Sequence, residues 1–128
     1  MGESNVELAR RGFEAALRGE LDAIGELLDP DVKWHGGDPD APGARRNRNQ
    51  ALEFMRRARG RGGVGELVDM IPADDKVVVI LRRMTDGEPG ELVANVTTFR
   101  DGKVVEMVHY PDPDEALAAA GVPARPAR

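Results

Sequence analysis

Apolar residues recur along this chain first at helical spacing and then, past its middle, at nearly every second position. Val6, Ala9, Phe13, Ala16 and Leu17 define one helix face. Ser4-Asn5-Val6-Glu7 precedes it as a capping box, in which the serine oxygen and the glutamate each satisfy a free backbone N–H. Gly19 is placed to stop that helix. Leu21, Ile24, Leu27 and Leu28 predict a second, shorter helix, ended at Asp29-Pro30 because the residue before proline is pushed out of the α region. Asp31 to Gly36 alternates and predicts a short strand, with Val32 and Trp34 on one side and Lys33 and His35 on the other. A loop rich in Gly, Pro, Asp and Arg follows, and Asn47 or Asn49 can cap a third helix bearing Ala51, Leu52, Phe54, Met55 and Ala58.

From Gly65 onward the pattern changes period. Gly65 to Ile71 and Lys76 to Met84 predict two strands, and Glu91 to Tyr110 predicts a further pair turned at Arg100-Asp101-Gly102. Val93, Val96, Thr97, Thr98, Phe99, Val104, Val105 and Val108 are types that fit a pleated, half-buried surface. A three-residue turn closed by Gly102 sets Phe99 opposite Lys103. Asn95, Thr97 and Phe99 then share a face with Val105, Met107 and His109. A two-residue turn would instead group Phe99 with Val104, Glu106 and Val108 and move Asn95 and Thr97 away from His109. A short helix from Asp114 to Ala120, stopped by Gly121, closes a single domain over 1–121, and 122–128 reads as a disordered tail. Strands that cluster late and join by short turns point to an α+β fold, an antiparallel-rich sheet with helices on one face.

Composition narrows the chemistry more than the fold. At 128 residues the chain can bury a core without staples. It has no cysteine, which removes disulfides, thiolate zinc sites and a cysteine nucleophile. Its one serine, Ser4, is spent as a cap, and two histidines at unrelated positions do not make a zinc site. The net charge of −5 argues against a polyanionic partner. The arginines at 45, 46, 48, 56, 57, 59 and 61 lack interleaved aromatics and read as a solvated helix face rather than a nucleic-acid groove, with an anionic-ligand entrance or a partner surface as the alternative. Gly60, Gly62 and Gly65 spell G-x-G-x-x-G, but between a helix and a strand, the reverse of the dinucleotide-binding context. No stretch reaches membrane-spanning length and no signal core opens the chain, so the expected location is cytoplasmic.

Several phrases together resemble the SnoaL-like branch of the nuclear transport factor 2-like superfamily. These are Phe13 and Leu17, LLDPDVKWHG (27–36), Ala51 to Met55, FRDGKVVE (99–106) and VHYPDPDEAL (108–117). The resemblance spans about Asn5 to Gly121. It implies a conical α+β barrel: a curved, mostly antiparallel sheet wrapped round three N-terminal helices, with a short C-terminal helix and an apolar pocket inside. It also implies a hydrophobic or cyclic small molecule as partner, no cofactor, and a homodimer through the outer sheet face (Ala94, Val96, Thr98, Val104, Val108).

The family hosts cyclases, isomerases, dehydratases and epoxide hydrolases as well as binding proteins, so function must come from the pocket residues. Where SnoaL-like cyclases and epoxide hydrolases carry a catalytic aspartate, this chain has His109, an imidazole able to act as general acid or base near neutral pH. Arg82 aligns with the arginine of the epoxide hydrolases, but Met84 stands where their second aspartate belongs. Epoxide hydrolysis by that apparatus is disfavoured, as is steroid isomerisation, because Trp34 and His35 occupy the region of the isomerase's base and the single tyrosine, Tyr110, faces away from His109. The expected function is a cofactor-independent cyclase, isomerase or dehydratase using His109, with Asp69 and Arg82 as candidate catalytic partners. The alternative is a non-catalytic ligand binder or dimeric accessory protein. Asp69 reaches His109 only if Leu67, Asp69 and Ile71 form the inner face; the opposite parity leaves it in solvent. Trp34, Phe54, Met84, Asn95, Thr97, Phe99, Val105 and Met107 are the expected pocket lining.

Overall fold

The structure is a computed structural model that describes residues 4–38, 40–59, 65–85 and 88–122. Helices α1 (Asn5–Arg18) and α2 (Leu21–Leu27) lead into strand β1 (Leu28–His35), then helix α3 (Arg48–Arg59). Strands β2 (Glu66–Ala73), β3 (Lys76–Thr85), β4 (Glu88–Arg100) and β5 (Lys103–Tyr110) follow, and α4 (Pro113–Ala119) ends the sequence of elements. The expected order therefore holds. The glycine run 60–64 and Arg61 lie outside the described residues, as does the tail beyond Val122, which itself packs against the outer face of the sheet.

Caps set the helix ends as their residue types dictate. Ser4 accepts from Glu7 N, and Gly19 sits in the left-handed region at φ 72°. Asn47 caps α3 by accepting from Gln50 N at 2.9 Å, while Gln50 Oε1 accepts in return from Arg46 N at 2.7 Å. Asp112 caps α4, with Pro113 in the first turn where its missing N–H costs nothing.

The five strands form one curved, unclosed mixed sheet in the order β1-β5-β4-β3-β2. β1 runs parallel to β5 and the other pairings are antiparallel. β1 begins at Leu28 rather than Asp31 and carries Asp29-Pro30 within it; a sheet edge tolerates a proline that cannot donate to the ladder. One face packs on α1, α2 and α3 through Leu8, Ala15, Ile24, Leu27 and Ala51, which meet Val32, Val77, Val79, Phe99, Val104 and Met107. This is the inner face. On the outer face, α4 lays Ala116 and Leu117 over Val78, Ile80, Ala94 and Val96. The apolar outer strip expected to need a partner is thus covered in part by the chain's own last helix. Val104, expected there, faces inward instead.

The β4–β5 hairpin resolves its two possible registers in an unexpected way. Its turn has two residues, Asp101 (φ 52°) and Gly102 (φ 77°), flanked by the pair Arg100–Lys103. Phe99 therefore pairs with Val104, not Lys103. The register then shifts, so that Thr98 pairs with Glu106, Thr97 with Met107 and Asn95 with His109. Val105 is the extra residue of this β-bulge. It is half-buried and belongs to neither core cluster, so its expected place in the lining is not what the structure shows. The bulge allows Val104 and Met107, three apart, both to face inward. Asn95, Thr97 and His109 consequently share a face even though the turn is short.

Candidate functional site

The ladder carries the site across the sheet. His109 pairs with Asn95, Asn95 with Val79, and Val79 with Met70. Directly paired residues share a face. Val79 is in the inner core and Met70 packs against it, so His109 and Asn95 face inward. Thr97 is buried and donates from Oγ1 to Asn95 Oδ1 at 2.8 Å. That bond occupies the amide oxygen and leaves the Asn95 N–H groups as donors without a partner among the described residues. His109 is half-buried and has no hydrogen bond to a described residue. Burial pushes its pKa below the ordinary histidine value, and the positive charges of Arg83 and Arg45 push it the same way. A neutral ring at pH 7 keeps one nitrogen lone pair open as an acceptor.

Arg45 is the residue that the charge pattern misplaced. The loop after β1 folds back so that Trp34 N donates to Arg45 O and Arg45 N donates to Trp34 O, both at 2.8 Å. That doubly bonded pair puts both side chains on one face. Trp34 packs against the inner core and meets Phe54 edge-on, ring centres 4.8 Å apart. The Arg45 guanidinium lies 3.6 Å from the Phe54 ring centre and 4.9 Å from that of Trp34. Its Nη1 donates to Gly43 O at 2.7 Å, but its Nε is buried with no acceptor, and burial lowers its pKa. This is a half-buried cation held by aromatic faces, not part of a solvated helix face. An arginine that ends a Gly/Pro loop in one run with Arg46 and Arg48 carries no sequence signal of that position.

Asp69 and Arg82 are not brought to His109. The β2 register slips between Leu67 and Asp69, so Leu67 and Met70 turn inward while Asp69 pairs with Ile80 of the outer cluster. Its Oδ1 accepts from Met70 N at 2.8 Å. Arg82 pairs with Leu92, also of the outer cluster, and donates to Gly90 O at 3.3 Å. Of the two adjacent arginines it is Arg83 whose charge bears on His109. Phe99 and Met107 are buried in the inner core, Phe54 is 38% exposed beside Trp34, and the side chain of Met84 lies outside the described residues.

His35, expected on the surface, is buried at 6% exposure. It pairs with Val108 and faces outward. Its Nδ1 accepts from Gly37 N at 3.0 Å, so Nε2 carries the proton and donates to Glu106 Oε2 at 2.9 Å. Both ring nitrogens are engaged, and the dyad clamps β1 to β5. A separate cleft of about 250 Å³ opens between α2 and α3, lined by Leu21, Gly25, Leu52, Arg48 and Arg56 among others. Among the described residues no group of three His, Asp or Glu side chains could hold a metal, and no helix is long and apolar enough to cross a membrane.

A fold of this order defines the class. Residues 9–107 match the SnoaL-like domain, and the chain belongs to that family. Among solved structures it is similar to Bal32a from a soil-derived mobile gene cassette, at 26% identity and TM-score 0.69, over 83% of this chain and 87% of that one. It is also similar to a polyketide cyclase of Sinorhizobium meliloti described as putative, at 19% identity and TM-score 0.67, covering 80% and 93%. TerC co-crystallised with polyporic acid shares 20% identity at TM-score 0.66, covering 91% and 98%. No curated protein matches the chain.

Proposed function

We propose that this protein binds a hydrophobic, cyclic small molecule against the inner face and transfers a proton on it, with His109 as general base and no cofactor. The observation that carries this reading is His109 itself: inward-facing, unbonded among the described residues, and held neutral by burial and two arginines. A neutral imidazole can take a proton from carbon next to a carbonyl, and the free Asn95 N–H groups can stabilise the oxyanion that results. The imidazolium then returns the proton to another carbon of the conjugated system, which completes an isomerisation, or the carbanion adds to a second carbonyl carbon of the ligand, whose oxygen takes the proton from the imidazolium. Neither Asp69 nor Arg82 takes part, because both lie across the sheet. The family membership and the polyketide-cyclase and TerC likenesses support a small-molecule pocket of this kind.

One observation favours a second reading, a binding protein without turnover: no carboxylate among the described residues orients the His109 ring. The two readings separate by hydrogen–deuterium exchange next to the carbonyl of a cyclic ketone such as 2-tetralone, followed by NMR. Proton transfer predicts exchange accelerated by the wild type and lost in His109→Gln, with the ketone still bound. Binding by both proteins with no acceleration by either supports the second reading. A homodimer remains part of the proposal. It would use the outer strip left beside α4, where Thr98, Glu106 and Val108 are half-buried, and a sedimentation mass of one chain would rule it out.

A further inference from the structure

Beside His109, two positive charges have no counter-ion among the described residues. Arg45 is stacked on Trp34 and Phe54 with its Nε buried and unbonded, and it makes no ion pair with a described residue. Arg83 likewise has no carboxylate partner among the described residues, and both charges act on His109. The nearest candidates for neutralisation have been turned away: Asp69 lies on the outer face, and Glu106 is committed to His35 there. Asn95 adds N–H donors, its acceptor oxygen being taken by Thr97. Apart from the His109 lone pair, the polar groups on this wall are thus donors and cations, set beside two aromatic rings. A buried donor without an acceptor costs free energy that a native structure recovers only when an acceptor arrives. A neutral hydrocarbon supplies none.

We infer that the ligand is a hydrophobic organic anion, an aromatic or cyclic carboxylate, whose charged end lies between Arg45 and Arg83 with its ring against Trp34 and Phe54. This rests on the proposed small-molecule pocket and narrows it to one charge class. A guanidinium suits a carboxylate because its planar N–H groups match two oxygens at once. The base form of His109 complements such a ligand, since it adds an acceptor elsewhere on the wall without competing for the anion.

The test compares 2-naphthoate with its neutral isostere 2-naphthamide by calorimetry, on the wild type, Arg45→Met and Arg83→Gln. Methionine keeps hydrocarbon over the two rings, and Arg83 is exposed, so Arg83→Gln leaves the core intact whatever becomes of Arg45→Met. The expected result is naphthoate bound at least about tenfold more tightly than naphthamide, a preference that falls several-fold in each variant and weakens with added salt. Equal or tighter binding of the amide, or a preference for naphthoate that neither variant changes, would overturn the anion inference while leaving the pocket standing. Binding of neither probe at millimolar concentration would overturn both.

Discussion

The two faces of the sheet each carry one histidine, and the two are opposites. On the outer face His35 is buried, with one nitrogen accepting from Gly37 and the other donating to Glu106. On the inner face His109 is half-buried, unbonded among the described residues, and flanked by cations. The first spends its whole hydrogen-bonding capacity on structure, one bond on the local turn at Gly37 and one on holding β1 to β5. The second keeps a lone pair in reserve. Burial alone therefore does not mark the functional histidine; an unspent acceptor in a field that keeps it neutral does. The same contrast runs through the acidic residues, since Asp69 and Glu106 both stand on the outer side.

Substitutions can break this contrast, beginning with the largest effect. His35→Ala removes two part-buried hydrogen bonds and leaves Glu106 without its donor, and it should cost about 2 kcal/mol in urea unfolding. An equal cost for His109→Ala would erase the distinction between the faces. Glu106→Gln keeps an acceptor for His35 Nε2 but loses the charge, so about 1 kcal/mol is expected from the same measurement. Thr97→Val deletes the bond to Asn95 and should cost about 1 kcal/mol or less; its sharper readout is weaker ligand binding, because Asn95 loses the partner that aims its N–H groups. His109→Ala itself should change stability by no more than about 0.5 kcal/mol while abolishing turnover.

Stability should also carry a pH signature from His109. Its pKa is lowered on folding, so the unfolded chain binds the proton more readily and stability rises with pH through this range. The stabilising contribution is complete above the unfolded value near 6.5 and is lost as pH falls through the folded one. His109→Ala should flatten that part of a stability–pH curve.

Most of the architecture was legible in the chain because helix period, caps and turn residues each act locally. Ser4, Gly19, Asn47, Asp112 and Gly102 all hold the positions their chemistry suggests. The site was legible only in part, because it depends on how strands slide past one another. The Asn95–Thr97–His109 face is the one expected of a three-residue turn, yet it arises from a two-residue turn corrected by a bulge at Val105. A similar slip after Leu67 turned Asp69 outward. A one-residue shift reverses every side chain beyond it, and nothing in the alternation of apolar residues announces where a bulge will fall. Arg45 was illegible for another reason: it is brought inside by backbone pairing with Trp34, a contact between a loop and a strand edge.

The central claim is that His109 is a neutral base kept so first by burial and then by the neighbouring charges of Arg83 and Arg45, and NMR titration of its ring tests it most directly. The account predicts a His109 pKa below 6.5 in the wild type, rising when Arg83 is replaced by Gln and rising when Arg45 is replaced by Met. A His109 pKa at or above the ordinary value, unmoved by either substitution, would contradict it.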